Sequence, residues 1–234
     1  MFSGSAAMVD DTAPRSQSRA AYERLRSDIL TGRYAPGSKL KIADIAAELG
    51  ASPGAVREAL SRLVPEQMVV SRDQRGFIVA PLSLGDLQDL TELRCEIEAV
   101  ALRRSIERGD IEWEGRIVAT AHQLAKAPIF LADKSLNRDR VRLHANFHNA
   151  LISGCGSPRL LALHASLFEQ SERYRRLTAH IDTRRPIDKE HTEMMNAALA
   201  RDADKLVALA TEHIRRSTLL ITAIAENEIS HDGG

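Results

Sequence analysis

Four of the eight histidines lie where their imidazole rings could face one interior. His144 and His148 are four residues apart, which places both rings on the same face of a helix. His191 and His213 lie in two later segments, and each is at helical spacing from apolar residues. Because neutral imidazole is a common ligand of transition metals, this pattern indicates a candidate metal site.

The spacing of these histidines also has a simpler explanation. His164 lies at the same kind of spacing among Leu160, Leu167 and Phe168, so an apolar neighbourhood alone does not identify a metal ligand. From spacing alone, the four histidines could instead be core residues whose ring nitrogens are hydrogen-bonded to other side chains.

Arg94 is a second candidate for chemistry, because it lies on the apolar face of a helix with Leu87 and Leu90. A buried guanidinium needs a partner. Glu98, one helical turn later, is one candidate partner. The other is the carboxylate of a small effector molecule, which a guanidinium can bind through two parallel hydrogen bonds.

The segments that carry these residues are helical in pattern from Gly85 almost to the end of the chain. Short connections containing Gly or Pro separate them, which is typical of an antiparallel bundle of six helices. We predict that this helical domain spans 83–230. After the first helix, its helices are expected at 111–126, 134–153, 158–179, 186–200 and 203–228.

The preceding part of the chain has a different pattern. Residues 1–18 are small and polar and predict a disordered arm. Residues 19–82 read as three helices followed by a hairpin of Val69–Val70 and Phe77–Val79. The fold class is therefore predicted to be mainly α, with an N-terminal winged helix-turn-helix followed by the six-helix bundle.

The second and third helices of the N-terminal domain have the pattern of a helix-turn-helix, with Gly50 at the turn. Ser52 is positioned to cap the third helix, whose polar face would enter the major groove of DNA. The alternative for Arg57 is a surface ion pair with Glu58 or Glu48. The candidate DNA-binding residues are Ser52, Gly54, Arg57, Arg62 and, in the wing, Arg75 and Gly76.

Composition narrows the class of protein. The 32 Lys and Arg balance the 32 Asp and Glu, which excludes a uniformly basic nucleic-acid binder. Residues 15–82 nevertheless carry 11 basic against 7 acidic side chains, a net charge of +4 on the candidate DNA-binding domain. We find no secretory signal and no apolar run near the ~18–20 residues of a membrane span. With only two cysteines, the expected location is the cytoplasm.

The N-terminal motifs resemble a known family. The run Val56-Arg57-Glu58-Ala59-Leu60, together with the upstream Pro36-Gly37, is similar to the winged helix of GntR-type bacterial transcription regulators. The all-helical remainder is similar to the ligand-sensing domain of the FadR-like subgroup. The resemblance implies a homodimer that binds a palindromic double-stranded DNA operator and usually represses until a small metabolite binds. It also implies that Arg94 holds the carboxylate of this effector.

The same resemblance bears on the histidines. Metal-binding domains of this subgroup use an Asp-x-x-x-His pair, a His after Glu, and a His on the last helix. His148, His191 and His213 match three of these positions, and His144 stands in place of the Asp. Four neutral nitrogens favour Zn²⁺ or Ni²⁺ over Mn²⁺ or Mg²⁺.

The chain departs from the family pattern at three positions of the DNA-binding domain. Pro53 and Ala43 stand where many members have basic residues, and Gln67 stands where the family usually has Gly before the first wing strand. The two substituted basic positions remove expected phosphate or base contacts.

The function predicted from the sequence is therefore a DNA-binding transcription regulator, and not an enzyme. It is expected to act as a repressor whose operator affinity changes when a small carboxylate binds at a metal site. One alternative is a hydrolase-like metalloenzyme built on a His-ligated bundle, although neither His-Glu-x-x-His nor paired Glu-x-x-His motifs occur. Another is a regulator in which the metal is only structural.

Overall fold

The computed structural model describes residues 12–72, 75–133, 137–176 and 186–231. The chain divides into two compact units, Met1–Leu82 and Ser83–Gly234. The first contains α1 (Thr12–Leu30), β1 (Lys39–Leu40), α2 (Ile42–Leu49), α3 (Pro53–Leu63), β2 (Val69–Arg72) and β3 (Gly76–Val79). The second contains α4 (Leu84–Arg108), α5 (Ile111–Lys126), α6 (Arg138–Ile152), α7 (Pro158–Arg175), α8 (Ile187–Leu199) and α9 (Ala203–His231).

The predicted fold class is confirmed in both units. In the first unit, α2 ends at Gly50, whose positive φ of 60° closes the turn before α3. The strands form an antiparallel sheet in the order β1-β3-β2. Leu40 pairs with Phe77 and Val70 with Ile78. The predicted wing turn at Asp73 and Gln74 lies outside the described residues.

The predicted disordered arm of residues 1–18 needs correction. Residues 12–18 belong to α1, while residues 1–11 lie outside the described part of the chain. The helix continues towards its N-terminus because Ser18, Ala21, Leu25 and Ile29 form one buried stripe at helical spacing. The sequence pattern is apolar only from Ala21 onward, so the earlier turns gave no signal.

One residue in the short segment before the first wing strand has a strained backbone conformation. Gln67 has a φ of 56°, in the left-handed region that favours glycine. This conformation explains why glycine suits the position. Holding a non-glycine residue there costs about 1–2 kcal/mol.

Several helices of the second unit begin at a side chain that satisfies a free backbone N–H group. Ser83, Asp110 and Ser157 accept hydrogen bonds from the first turns of α4, α5 and α7. A short 3₁₀ turn, Ser153–Cys155, follows α6. The helices enclose a core that includes Leu102, Trp113, Phe147, Leu151 and Met194.

This core positions the segments that carry the candidate ligands. Phe147 and Leu151 are fully buried on α6, and Met194 is fully buried on α8. Because His148 follows Phe147, and His191 lies one turn before Met194, packing of these apolar residues fixes the direction of both imidazoles. In the described part of the chain, no helix is both long and apolar enough to cross a membrane.

Candidate functional site

The four predicted histidines come together inside the second unit. His144 and His148 project from α6, His191 from α8 and His213 from α9. The distances between their ring centroids range from 4.6 to 5.9 Å. One nitrogen of each ring lies within 4.8 Å of the corresponding nitrogens of the other three. Such a group of donor atoms can share one metal ion.

The burial of these rings favours a metal over ordinary core packing. His148 is completely buried, and His191 and His213 are 4% and 6% exposed. Both ring nitrogens of His148 and of His191 lack a hydrogen-bond partner, as does Nδ1 of His144. Buried polar atoms normally have partners. The hydrogen-bonded core proposed as the alternative therefore does not account for these nitrogens, whereas a metal ion would account for one nitrogen of each ring.

The surroundings hold three of the histidines in the neutral form that metal binding requires. Burial lowers the pKa of His144 well below its usual range, and the neighbouring His148 and Arg175 lower this pKa further. Burial likewise lowers the pKa of His148, although contact with Glu98 partly opposes this effect. The pKa of His191 is strongly lowered, first by burial and then by His148. Binding a metal to these rings would therefore displace few protons at neutral pH.

Three carboxylates surround the histidine cluster, and sequence reasoning did not assign them to it. Glu190 Oε2 lies 2.8 Å from His213 Nδ1, Glu98 Oε1 lies 3.5 Å from His148 Nδ1, and Glu172 Oε1 lies 3.9 Å from His144 Nδ1. The last two separations are too long for well-aligned hydrogen bonds. Only the Glu next to His191 carried a sequence signal, because the family pattern includes it.

Arg94 has the partner that local spacing suggested. Its Nε lies 3.4 Å from Glu98 Oε2, although the geometry is not that of a hydrogen bond. Its guanidinium carbon also lies 4.6 Å from the centre of the Phe168 ring. Burial tends to raise the pKa of Glu98, but Arg94 and the nearby histidines outweigh it and hold this pKa well below the usual range. Arg94 is thus paired internally and still lines a cavity beside the cluster.

Two cavities adjoin the histidine cluster. The larger has a volume of about 80 Å³, and its lining includes His144, His191 and His213. The smaller has a volume of about 30 Å³ and is lined partly by Arg94, His144 and His213. Arg175 lines both cavities and makes two 2.6 Å hydrogen bonds to Glu172. Sequence reasoning missed Arg175, because no local pattern shows that the end of α7 reaches this cluster.

The first unit presents the predicted residues of α3 on its surface. Ser52, Gly54 and Arg57 are exposed, while Val56 and Leu60 pack inward. Ser52 Oγ accepts a hydrogen bond from Ala55 N at 3.2 Å, which confirms its predicted role as the helix cap.

The surface pairing considered for Arg57 is not seen. Glu48 pairs with Arg33 instead, and no ion pair to Arg57 occurs among the described residues. Its side chain is therefore available for contact with a ligand such as DNA.

The remaining predicted DNA contacts lie at the end of α3 and in the wing. Arg62 is exposed, but its guanidinium carbon lies 4.2 Å from the centre of the Tyr22 ring, which gives it a structural partner. Arg75 is exposed at the wing turn, and its backbone N–H bonds to Arg72 O. Gly76 has a φ of 84°, a conformation that favours glycine at the start of β3.

Comparison with protein families assigns both units. Residues 17–79 match the family described as bacterial regulatory proteins, gntR family. Residues 89–216 match the FCD domain, which covers more than half of the chain. The two matches correspond to the helix-turn-helix unit and to the helical bundle that carries the histidines.

Individual relatives agree with this assignment. The chain is 42% identical over 215 residues to the uncharacterized HTH-type transcriptional regulator BphR of Paraburkholderia xenovorans, covering 88% of this chain and 86% of that protein. It is 32% identical over 198 residues to the HTH-type transcriptional repressor GlaR of Escherichia coli, covering 82% and 90%. The solved structure of E. coli McbR/YncC has the same fold, with a TM-score of 0.73 at 17% identity over 89% of this chain and 98% of that one.

These relatives are regulators and not enzymes, which decides against the metalloenzyme alternative. The exposed face of α3, the FCD match and the relatives all support one assignment. The chain belongs to the GntR family of DNA-binding bacterial transcription regulators.

Proposed function

We propose that this regulator is a repressor whose affinity for its operator changes when a small organic acid binds at a metal site in the helical unit. The observation that carries the proposal is the buried cluster of four histidines, in which ring nitrogens of His144, His148 and His191 have no hydrogen-bond partner among the described residues, beside cavities that Arg94 and Arg175 help to line. Two relatives, GlaR and RspR of Escherichia coli, are named repressors.

The metal ligands in this proposal are His144, His148, His191 and His213. A set of four neutral imidazoles favours a borderline ion, Zn²⁺ or Ni²⁺, over the harder Mn²⁺ or Mg²⁺. When bound, the ion would supply a Lewis-acidic centre, and a carboxylate oxygen of an effector would have to join it as a further ligand beside the four imidazoles.

Arg94 is proposed to bind the effector's carboxylate, because its side chain lines a cavity with His144 and His213. Arg175, which lines both cavities, adds a second cationic group. One water needs roughly 10–15 Å³ of such volume, so the larger cavity of about 80 Å³, which Arg94 does not line, has room for a molecule of only a few carbon atoms. The carboxylate of such a molecule would have to reach the adjoining cavity of about 30 Å³ to meet Arg94. The size and charge of the site thus suit a small carboxylic acid.

The DNA-binding part of the proposal assigns α3 to the major groove. Ser52, Gly54 and Arg57 would contact bases or phosphates there, with Arg62 at the far end of the helix. Arg75 and Gly76 of the wing would contact the backbone or the minor groove. One helix reads only a few base pairs, so we infer a homodimer on a palindromic operator. Because its proposed partner is operator DNA, we expect the protein to act in the cytoplasm.

The proposed mechanism is a difference in binding. The effector stabilises one arrangement of the protein, and the operator stabilises another. A coupling free energy of ~1–3 kcal/mol between the two sites is enough to change operator affinity by roughly 5–150-fold.

The test begins with an operator selected from randomised DNA duplexes by the purified protein. Binding is then followed by fluorescence anisotropy while small carboxylic acids are added to Zn²⁺-loaded and to metal-stripped protein. We expect at least one acid to release the operator only from the loaded protein. His191→Ala should abolish this response, whereas the same change at the exposed His122 should preserve it.

Two outcomes would contradict parts of the proposal. If an acid releases the operator equally well from loaded and stripped protein, the metal is not part of the effector site and has at most a structural role. If Arg94→Ala responds to the acid with wild-type sensitivity, Arg94 does not bind its carboxylate.

A further inference from the structure

We propose that Glu98 and Glu190 are positioning residues of the metal site. Each holds the Nδ1 edge of one histidine, His148 or His213, so that Nε2 of that ring is presented to the metal. This inference rests on the metal site proposed above, but it concerns two carboxylates that are not themselves members of the ligand cluster.

Glu98 is buried in the interior of the helical unit, next to His148. It is only 1% exposed, and its Oε1 lies 3.5 Å from His148 Nδ1. This separation is too long for a well-aligned hydrogen bond, but neither of the two buried atoms has another hydrogen-bond partner in the described part of the chain. Its other oxygen, Oε2, lies 3.3 Å from Nε2 of the fully buried His164 and 3.4 Å from Arg94 Nε. Side chains of α4 and α7 therefore fix the carboxylate, which faces a ring on α6.

Glu190 has the same relation to His213. Its Oε2 lies 2.8 Å from His213 Nδ1, and its Oε1 accepts a hydrogen bond from Arg216 at 3.3 Å. Glu190 is 9% exposed and immediately precedes His191. One residue of α8 thus orients a ring on α9, while the next residue along α8 is itself a proposed ligand.

The chemistry of imidazole explains what the two contacts do. A neutral ring carries one N–H, and a carboxylate at Nδ1 favours the tautomer with the proton on that nitrogen. Nε2 then has the free lone pair that binds a metal. The carboxylate also fixes the orientation of the ring and increases its basicity as a ligand.

The two contacts have several features in common. Arg94 alone could neutralise Glu98, yet the carboxylate is shared between His164 on one side and His148 on the other. The two Glu residues contact two different members of the same four-histidine cluster. Both contacts are made through the same ring nitrogen, Nδ1.

The test measures Zn²⁺ affinity of the full chain by competition with a chromophoric chelator. Glu98→Gln and Glu190→Gln keep the size of the side chain but remove its charge. We expect each variant to bind Zn²⁺ about 10–100-fold more weakly than the wild type. Glu114→Gln is the matched control, because its carboxylate pairs with Arg201 away from the cluster, and it should bind Zn²⁺ within twofold of the wild type.

A second readout separates positioning from a purely structural role. The Co²⁺-loaded variants should have altered ligand-field absorption spectra, since the ring orientations change. If the carboxylate has only a structural role, its replacement should lower the unfolding temperature of the metal-free protein. Both the Zn²⁺ affinity and the Co²⁺ spectrum should then stay unchanged. Should Glu98→Gln fail to fold, Glu190→Gln, whose partner Arg216 is half-exposed, decides the test.

Failure of this inference is distinguishable from failure of the proposed metal site. Wild-type protein that binds no Zn²⁺ would overturn both. Wild-type binding together with unchanged affinity and spectrum in the variants would overturn the positioning role alone.

Discussion

The metal-free protein should lose stability steeply as the pH falls below 6.5. The cause is the buried histidine cluster, in which the pKa values of His144, His148 and His191 are all lowered, chiefly by burial. An unfolded histidine has a pKa of about 6.5. Below that pH the unfolded chain binds protons that the folded chain does not, so protonation favours unfolding. The stabilising contribution is complete above pH 6.5 and is lost on acidification.

The size of the effect follows from the number of affected groups. At pH values well below the unfolded pKa, each histidine lowers the free energy of unfolding by up to ~1.4 kcal/mol per pH unit of acidification. The three histidines together lower the free energy of unfolding by up to about 4 kcal/mol per pH unit. Because domains are typically stable by only about 5–15 kcal/mol, the helical unit should unfold about one to four pH units below 6.5.

The assay is urea denaturation of chelator-treated protein at a series of pH values from 7.5 to 5. Trp113, the single tryptophan of the sequence, is fully buried in the helical unit and reports its unfolding by fluorescence. His144→Leu should reduce the slope by about a third, whereas His122→Ala, at an exposed position, should leave it unchanged. A free energy of unfolding that stays constant between pH 7 and pH 5 would refute the reasoning.

Three further predictions concern single side chains. Arg57→Ala should weaken operator binding by ~1–3 kcal/mol in an anisotropy titration. A variant that binds the operator as tightly as the wild type would show that this residue does not contact DNA. Ser52→Ala should lower the free energy of unfolding of the first unit by about 1 kcal/mol, because a helix cap is lost. A change below measurement error would contradict that capping role. Gly109→Ala should strongly lower the melting temperature, since the added Cβ would lie 2.4 Å from Trp113 Cε3, while Gly115→Ala meets no atom within 4 Å and is the control. Equal melting temperatures of these two variants would be inconsistent with the packing described here.

Much of the fold could be predicted because its signals are local. The apolar periodicity of Leu87, Leu90 and Ala101 marks α4, and glycine or proline marks most helix ends. β1 was not predicted, because Lys39 and Leu40 form a strand only through pairing with β3, almost forty residues later. The early turns of α1 were missed for a related reason, since burial of Ser18 depends on packing rather than on residue type.

The histidine cluster was predictable from the sequence, but the side chains that surround it were not. Histidines at helical spacing on apolar faces, together with the family resemblance, led to all four residues of the cluster. Glu98 was considered only as the neighbour of Arg94, because nothing in the local sequence shows that α4 packs beside the ring of His148 on α6. The contact of Glu172 and Arg175 with the cavities likewise depends on how α7 packs.

The central claim is that His144, His148, His191 and His213 hold a divalent metal ion. The most direct test is elemental analysis of the purified protein beside His148→Ala and the control His122→Ala, each with and without added Zn²⁺ or Ni²⁺. We predict about one divalent ion per chain in the wild type and in the control, and loss of that ion from His148→Ala. Absence of metal from the wild type, with no uptake of either added ion, would contradict the claim and leave the cluster as buried core histidines.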